Sequence, residues 1–434
     1  MFRRSSSTHL GVQVNEAAES TKPRYQIPSA RRGSVVDEED FAVLRTVLQN
    51  DLALTAGPWR DRFEAQFAAY TGSRHALSVT SGTVALEIAI RLLDLQPGDE
   101  VIATTQTFQA SIQPLLDSPA IVRFCDIDPE TLNLDPRKLE ALITPRTRAI
   151  ILVHYGGNPA DMAKICAIAA RHDVLVLEDC AHALGSAYRG RRPGSLGDIG
   201  TFSFHSSKNI TTLGEGGMIT FDRDDWAVRV DRIRSNEVDM VAGPVSGILG
   251  SPPETLPWMK FSEAVYRESV AGIHGAGTNA TLSEVACAVG TVQLRKLPSL
   301  VRRRREIAAK LDAVLGGYPQ IRLPLVDPGD EHSYHLYTFF VTEGDDVRHA
   351  LVRALDRRGV EIQLRYFPLH LTPEWQSRGH GPGECPTAER LWFSEHMNLP
   401  CHPNLTDTQV ALLCSALRSS LNEVFGRRAV LSHS

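Results

Sequence analysis

The stretch that decides the fold reads Ser203-Phe-His-Ser-Ser-Lys-Asn-Ile-Thr-Thr-Leu-Gly-Glu-Gly-Gly217. At its start the apolar run Gly200-Thr-Phe-Ser-Phe204 reads as a short buried strand, and the glycines at its far end read as a turn into a second strand, Met218 to Phe221. Lys208 therefore stands on a loop between two core elements. A lysine presented there, among hydroxyls and backbone donors, is placed to form a Schiff base with a carbonyl cofactor. Upstream, Val174-Leu-Val-Leu-Glu-Asp-Cys-Ala-His182 is an apolar strand ending in Asp179, with His182 just beyond. A carboxylate at a strand's C-terminal edge, followed by a loop lysine, is the pair that pyridoxal phosphate (PLP) requires: one group for the pyridinium nitrogen, one for the aldehyde.

Working outward toward the N-terminus, Ala76 to Thr80 is a short strand that breaks into Ser81-Gly-Thr83 before an apolar helix, Val84 to Leu93. Such a junction is an ordinary N-cap, and it is also an anion site, because unpaired N–H groups and the helix dipole point at one spot. Pro97 to Phe108 gives a turn, a strand and a loop aromatic. Alternating units follow: strands at Ile121–Cys125, Ala149–His154 and Val174–Leu177, with helices at Asp135–Ile143 and Met162–His172. This rhythm predicts an α/β fold with a mostly parallel sheet, helices on both faces and ligands at the strands' C-terminal ends. Gly82, Phe108, Asp179 and Lys208 all fall at such ends.

Residues 1–24 are polar and serine-rich and are expected to form a disordered arm. Helices are expected from Ser34 to Leu48 and from Trp59 to Tyr70, with the turn Thr55–Trp59 between them. The breaker-rich loop Gly243–Pro253 lies in an irregular region read as an insertion around 238–272. Leu294 to Leu315 reads as a long helix whose Arg302-Arg-Arg-Arg305 run is a solvated face. It links a large cofactor domain, 25–300, to a smaller α/β domain, 301–425, before a tail at 426–434. In the small domain, strands are expected at Tyr337–Val341 and Ile362–Tyr366, with a helix at Val347–Arg358.

Composition bounds the function. The chain has 434 residues, 42% apolar and 22% charged, which suits a soluble globular protein with a sizeable core. A net charge of -5 gives no general drive toward nucleic acid or anionic membranes. No run approaches the roughly 20 apolar residues of a membrane span, and the basic start lacks the apolar stretch of a secretory signal. Seven cysteines without paired spacing imply reduced thiols in a cytoplasm, with no disulfide frame and no metal site.

Three motifs, Glu178-Asp-Cys-Ala-His182, Ser203-Phe-His-Ser-Ser-Lys208 and Gly214-Glu-Gly-Gly217, resemble those of the DegT/DnrJ/EryC1/StrS family of PLP-dependent sugar aminotransferases. The resemblance runs from about Tyr25 to Phe425 and implies the type I, aspartate aminotransferase-like fold. It assigns Gly82, Thr83 and Ser203 to the PLP phosphate, Phe108 to one face of the pyridine ring, and His182 to the ring's 3-oxygen. Asn279 matches an asparagine that reaches the phosphate of the neighbouring subunit, which implies a homodimer with shared active sites. The family's following Tyr-Arg is Ala280-Thr281 here, so contacts made by that arginine are missing. Pro368-Leu-His370 resembles the segment before a substrate loop, making His370, with His205, an expected substrate contact.

The implied reaction moves an amino group from L-glutamate or L-glutamine to a ketosugar, nucleotide-linked, or to a keto-cyclitol, in amino-sugar, antibiotic or other secondary-metabolite biosynthesis. Leu213 is one residue beyond the Thr-Thr-Gly-Glu-Gly-Gly form of many 4-keto-sugar enzymes. Two alternatives stand beside it: an aminobenzoate-type synthase acting on a dehydroshikimate-like keto acid, and a non-catalytic PLP-fold sensor or scaffold. A dehydrase of the same fold is disfavoured, since that branch replaces the lysine with histidine.

Overall fold

The computed structural model describes residues 25–51, 53–240 and 271–431. The expected arm at 1–24 and residues 241–270 of the expected insertion lie outside them.

Two helices, α1 (Glu38–Gln49) and α2 (Pro58–Thr71), lead into β1 (His75–Val79) and α3 (Gly82–Leu92). There follow β2 (Glu100–Thr104), β3 (Ile121–Cys125), the short α4 (Pro136–Leu139), β4 (Thr147–Val153), α5 (Met162–Arg171) and β5 (Leu175–Asp179). Then come β6 (Ile199–Ser203), β7 (Gly217–Phe221) and α6 (Asp224–Arg234). The strands form one seven-stranded sheet in the order β1-β7-β6-β5-β4-β2-β3. Only β7 is antiparallel to its neighbours; every other pairing is parallel. All residues of β2, β6 and β7 are buried, the mark of strands covered on both faces. The expected helix at Asp135–Ile143 is α4 continued by a 3-10 turn, Glu140–Leu142.

Flanking residues 241–270, β8 (Val238–Met240) and β9 (Ala271–Ile273) pair antiparallel, so the two ends of the expected insertion are closed on each other. Next, α7 (Glu284–Leu315) is longer than the sequence predicts, beginning ten residues earlier, at the Ser283 cap, whose Oγ accepts from the Ala286 N–H. Its first turns carry Val285, Val289, Gly290 and Thr291, poor helix formers. Packing overrides propensity there: Gly290 lies against the Phe63 ring, and the Glu284 carboxylate accepts from the Trp59 and Arg60 N–H groups at the start of α2.

A smaller sheet is built from β10 (Ile321–Arg322), β11 (Tyr337–Val341) and, after α8 (Asp345–Arg357), α9 (Pro373–Gln376) and α10 (Pro386–Arg390), β12 (His396–Leu399). Its order is β10-β11-β12, and α11 (Asp407–Leu431) closes the fold, running past the Phe425 expected to end the domain. The small core gathers Ile307, Leu311, Phe339, Leu351, Leu413 and also Ile27, which lies in the segment the sequence reading gives to the large domain. In the opposite sense, Leu369, Trp375 and Leu391 join the core of the large sheet. The two units are therefore interlaced along the chain.

Two expectations are corrected. Ile362–Tyr366 is not a strand: the Arg365 N–H is taken by the Asn398 side chain at 2.9 Å, so no backbone ladder forms along β12. The arginine run is not a solvated face throughout, because Arg304 is 1% exposed. Its guanidinium donates to the carbonyls of Gly33 at 2.7 Å, Cys401 at 2.5 Å and Tyr334 at 3.1 Å, which offsets the cost of burying it.

Candidate active site

The C-terminal ends of β1, β2, β5 and β6 open into a cavity of about 1030 Å3. Gly82, Thr83, Phe108, Asp179, His182, Ser203, His205 and Lys208 line it, so eight of the ten residues selected from sequence meet in one place.

The junction between β1 and α3 is both things its sequence allows. Ser81 caps α3: its Oγ accepts from the Val84 N–H at 3.1 Å and its carbonyl from the Ala85 N–H at 3.0 Å. That leaves the N–H groups of Gly82 and Thr83 without an intrahelical acceptor at the cavity wall. Gly82 is required by proximity, since a Cβ there would stand 2.7 Å from the Ser203 Cβ. Helix dipole, free N–H groups and the Ser203 hydroxyl thus converge as an anion cradle.

Asp179 is 5% exposed and fixed at both oxygens. Oδ2 accepts from the Ser111 hydroxyl at 2.5 Å and Oδ1 from the Ala181 N–H at 2.9 Å, while Ser111 is itself held by Thr107 at 2.7 Å. His182 lies between two rings, stacked on His335 at 4.3 Å and parallel to Tyr366 at 5.6 Å. Its Nε2 meets the Tyr366 hydroxyl at 3.2 Å, and its buried Nδ1 has no partner among the described residues. Burial, then the charges of Lys208 and Arg365, hold the imidazole well below its usual range, hence neutral.

Lys208 sits on a loop pinched shut by Phe204 N–H to Gly216 O at 2.7 Å and Ser206 N–H to Gly214 O at 2.9 Å. The N-terminal segment braces it from outside, through Gly33 N–H to Ser206 O at 2.9 Å. Burial pulls the ammonium down to about 8; the Asp179 carboxylate works against that shift and Arg365 adds to it. A lysine so poised is partly neutral near physiological pH.

Two selected residues are elsewhere. His370 is buried outside the cavity lining, its Nδ1 at 2.5 Å from Thr105 Oγ1 and its Nε2 at 2.9 Å from Glu389 Oε1. With both nitrogens engaged by the protein, it is a structural histidine. Asn279 is exposed, beside the end of β1, where the next residue's carbonyl accepts from the Thr80 N–H at 3.0 Å. His205 remains at the cavity mouth, with its side chain 45% exposed and Nδ1 at 2.8 Å from Ser207 Oγ. Phe108 is 43% exposed, an unusual condition for an aromatic after a buried strand.

Sequence reasoning missed Thr107, Ser111, His335, Arg365 and Tyr366. For the last two a signal existed: Phe367 precedes a proline, a position that favours a break from regular structure, so Arg365-Tyr-Phe367 belongs to a loop and not to a strand.

The residues present fit PLP: a phosphate cradle at Gly82, Thr83 and Ser203, a fixed carboxylate, a depressed lysine, and an orphaned Nδ1 on His182. Fold and site thus define the class, a PLP-dependent aminotransferase of the α/β type. The model of the DegT/DnrJ/EryC1/StrS aminotransferase family matches residues 34–418, and the chain belongs to that family. The dTDP-3-amino-3,4,6-trideoxy-alpha-D-glucose transaminase of Streptomyces venezuelae is 33% identical over 382 residues, 88% of this chain and 91% of its own. The aminotransferase TlmJ from Streptoalloteichus hindustanus has a similar structure, with a TM-score of 0.80 at 32% identity over 92% of this chain and 100% of that one. Spr1654 from Streptococcus pneumoniae, solved in a PLP-form, superposes with a TM-score of 0.80 at 26% identity over the same shares. No helix among the described residues is long and apolar enough to cross a membrane.

Proposed function

We propose that the chain transfers an amino group from L-glutamate or L-glutamine to a nucleotide-linked ketosugar. The observation that carries the reading is the pairing of a buried, doubly bonded Asp179 with the depressed Lys208 in a cavity roomy enough for a substrate beside the cofactor. The relative from Streptomyces venezuelae, named for a dTDP-linked amino sugar, supports the acceptor class. Nothing in the cavity favours the aminobenzoate or non-catalytic alternatives.

Bound in the cavity, PLP supplies an electron sink for the carbanion formed when the donor loses its Cα proton. The protein's part is placement and proton handling. Gly82, Thr83 and Ser203 would hold the phosphate, and Phe108 would cover one ring face, where stacking adds about 1 kcal/mol. Asp179, fixed by the Ser111 hydroxyl and the Ala181 N–H, would face the pyridine nitrogen and hold a proton there. His182 offers Nδ1 on the 3-oxygen side. Lys208 Nζ, pulled down to about 8 by burial and therefore partly neutral, would move the donor's Cα proton from its place on the cavity wall.

The reading includes a large and a small domain that exchange segments along the chain, and a homodimer in which the exposed Asn279 completes the partner's phosphate site. It places the enzyme in the cytoplasm, where its seven free cysteines stay reduced. The test is a panel of acceptors offered with glutamate: nucleotide-linked ketosugars, keto-cyclitols and dehydroshikimate-like acids, with products read by mass. An amine formed only on a cyclitol or an aromatised acid would overturn the sugar assignment.

A further inference from the structure

Among the described residues lining the cavity, the basic side chains other than histidine are Lys208 and Arg365. Lys208 is committed to the cofactor. Arg365 Nη2 donates to Gln363 Oε1 at 2.9 Å, and no carboxylate of the described residues pairs with the guanidinium. A half-buried arginine whose side-chain partners are the neutral Gln363 amide and the Tyr366 phenol leaves most of its five N–H donors for a ligand, and a planar fork of donors suits a carboxylate. Its backbone is fixed independently of its side chain: the carbonyl accepts from the Tyr155 hydroxyl and the N–H donates to Asn398. The next residue, Tyr366, bonds His182, so the guanidinium belongs to the wall beside the reacting centre.

We propose that Arg365 anchors the carboxylate carried on the reacting carbon of an α-amino-acid donor. This rests on the reading that the donor is glutamate or glutamine. Position selects the ligand: Arg365 is close enough to depress both Lys208 and His182, and in an α-amino acid the carboxylate is one bond from the carbon that Lys208 must deprotonate. The diphosphate of a nucleotide-linked acceptor lies several bonds from its keto carbon. Without the anchor the donor's Cα–H has no fixed orientation toward Nζ.

The test uses the cofactor-loaded full chain as wild type, Arg365→Gln and Arg365→Lys, and follows cofactor absorbance on titration with L-glutamate and with 4-aminobutyrate, which is glutamate lacking the α-carboxylate. The account predicts that Arg365→Gln weakens glutamate binding about 100-fold, the size expected for losing a bidentate charged hydrogen bond. Arg365→Lys recovers part of it, and the wild type's preference for glutamate over 4-aminobutyrate collapses toward parity in Arg365→Gln. Inhibition by free dTDP stays unchanged in both variants. Unaltered glutamate binding in Arg365→Gln overturns the inference while leaving the aminotransferase reading intact. Loss of dTDP inhibition instead of glutamate binding overturns it in favour of the acceptor's phosphates. A wild type that reacts with no amino acid sinks both.

Discussion

Gly33→Ala is the substitution whose effect the structure fixes most narrowly. Gly33 is far from the cofactor motifs in sequence, yet a Cβ on it would stand 2.0 Å from the Ser207 carbonyl oxygen and 2.4 Å from that of Lys208. Ordinary contact begins at 3.4 Å, so one of the two backbones has to retreat by more than about 1 Å. The Gly33 side cannot easily do so. Its carbonyl is held by Arg304, and Asn404 Nδ2 spans the carbonyls of Arg32 at 3.0 Å and Ser34 at 2.9 Å. The lysine loop therefore moves. Overpacking of this kind costs about 1–3 kcal/mol, and a displacement of about 1 Å at a reacting group lowers a rate about 100-fold. The assay is stopped-flow measurement of the donor half-reaction, with cofactor affinity measured separately. The variant should fold with a lowered Tm and react about 100-fold more slowly, with a much smaller change in cofactor affinity, because the phosphate cradle lies elsewhere. Gly381→Ala, where a Cβ meets open space, is the control. A Gly33→Ala enzyme as fast as wild type would refute the idea that this segment sets the position of Lys208.

Three further outcomes follow. Because burial holds Lys208 at about 8 and not 10.5, the rate at which cofactor-free protein captures PLP should rise with pH through about 8; a midpoint near 10.5 contradicts the site's electrostatics. The linked sign is that the folded chain gives up this proton first, so the group adds stability to the cofactor-free protein as pH rises from about 8 toward 10.5. Ser111→Ala removes the hydroxyl on Asp179 Oδ2 and should weaken PLP binding about tenfold in an equilibrium titration; unchanged affinity would mean the contact is idle. His370→Ala should lower stability by about 1–3 kcal/mol in denaturant unfolding, with Thr105 and Glu389 each losing the imidazole partner, Glu389 keeping only the Gly383 and Cys385 N–H groups, and substrate KM values unmoved. A raised acceptor KM at full stability would return His370 to the substrate site.

Much of the site was legible because its chemistry is tied to strand ends. Asp179 and Ser203 terminate buried apolar runs, and Gly82 and Thr83 open a helix, so one sheet brings them together whatever the loops do. The strands of the main sheet were readable for the same reason: short β-rich segments separated by turn residues. What escaped depends on contacts remote in sequence. Ser111 is selected only by where the turns after β2 carry it, and Arg304 is buried because four distant carbonyls surround one guanidinium, which no pattern within a run of arginines reveals. Hydrophobic alternation in Ile362-Gln-Leu-Arg-Tyr366 suggested a strand, but Asn398 satisfies its backbone with a side chain. His370 followed a motif into a role that its two protein partners deny it.

The central claim is that Lys208 and Asp179 form a working amino-transfer centre. Its most direct test is a single titration: add L-glutamate, then L-glutamine, to the purified yellow protein with no acceptor present and record the visible spectrum. The account predicts that one donor bleaches the cofactor band stoichiometrically in the wild type and that Lys208→Ala shows no such turnover. A wild-type spectrum that no amino donor changes, with cofactor demonstrably bound, would contradict it.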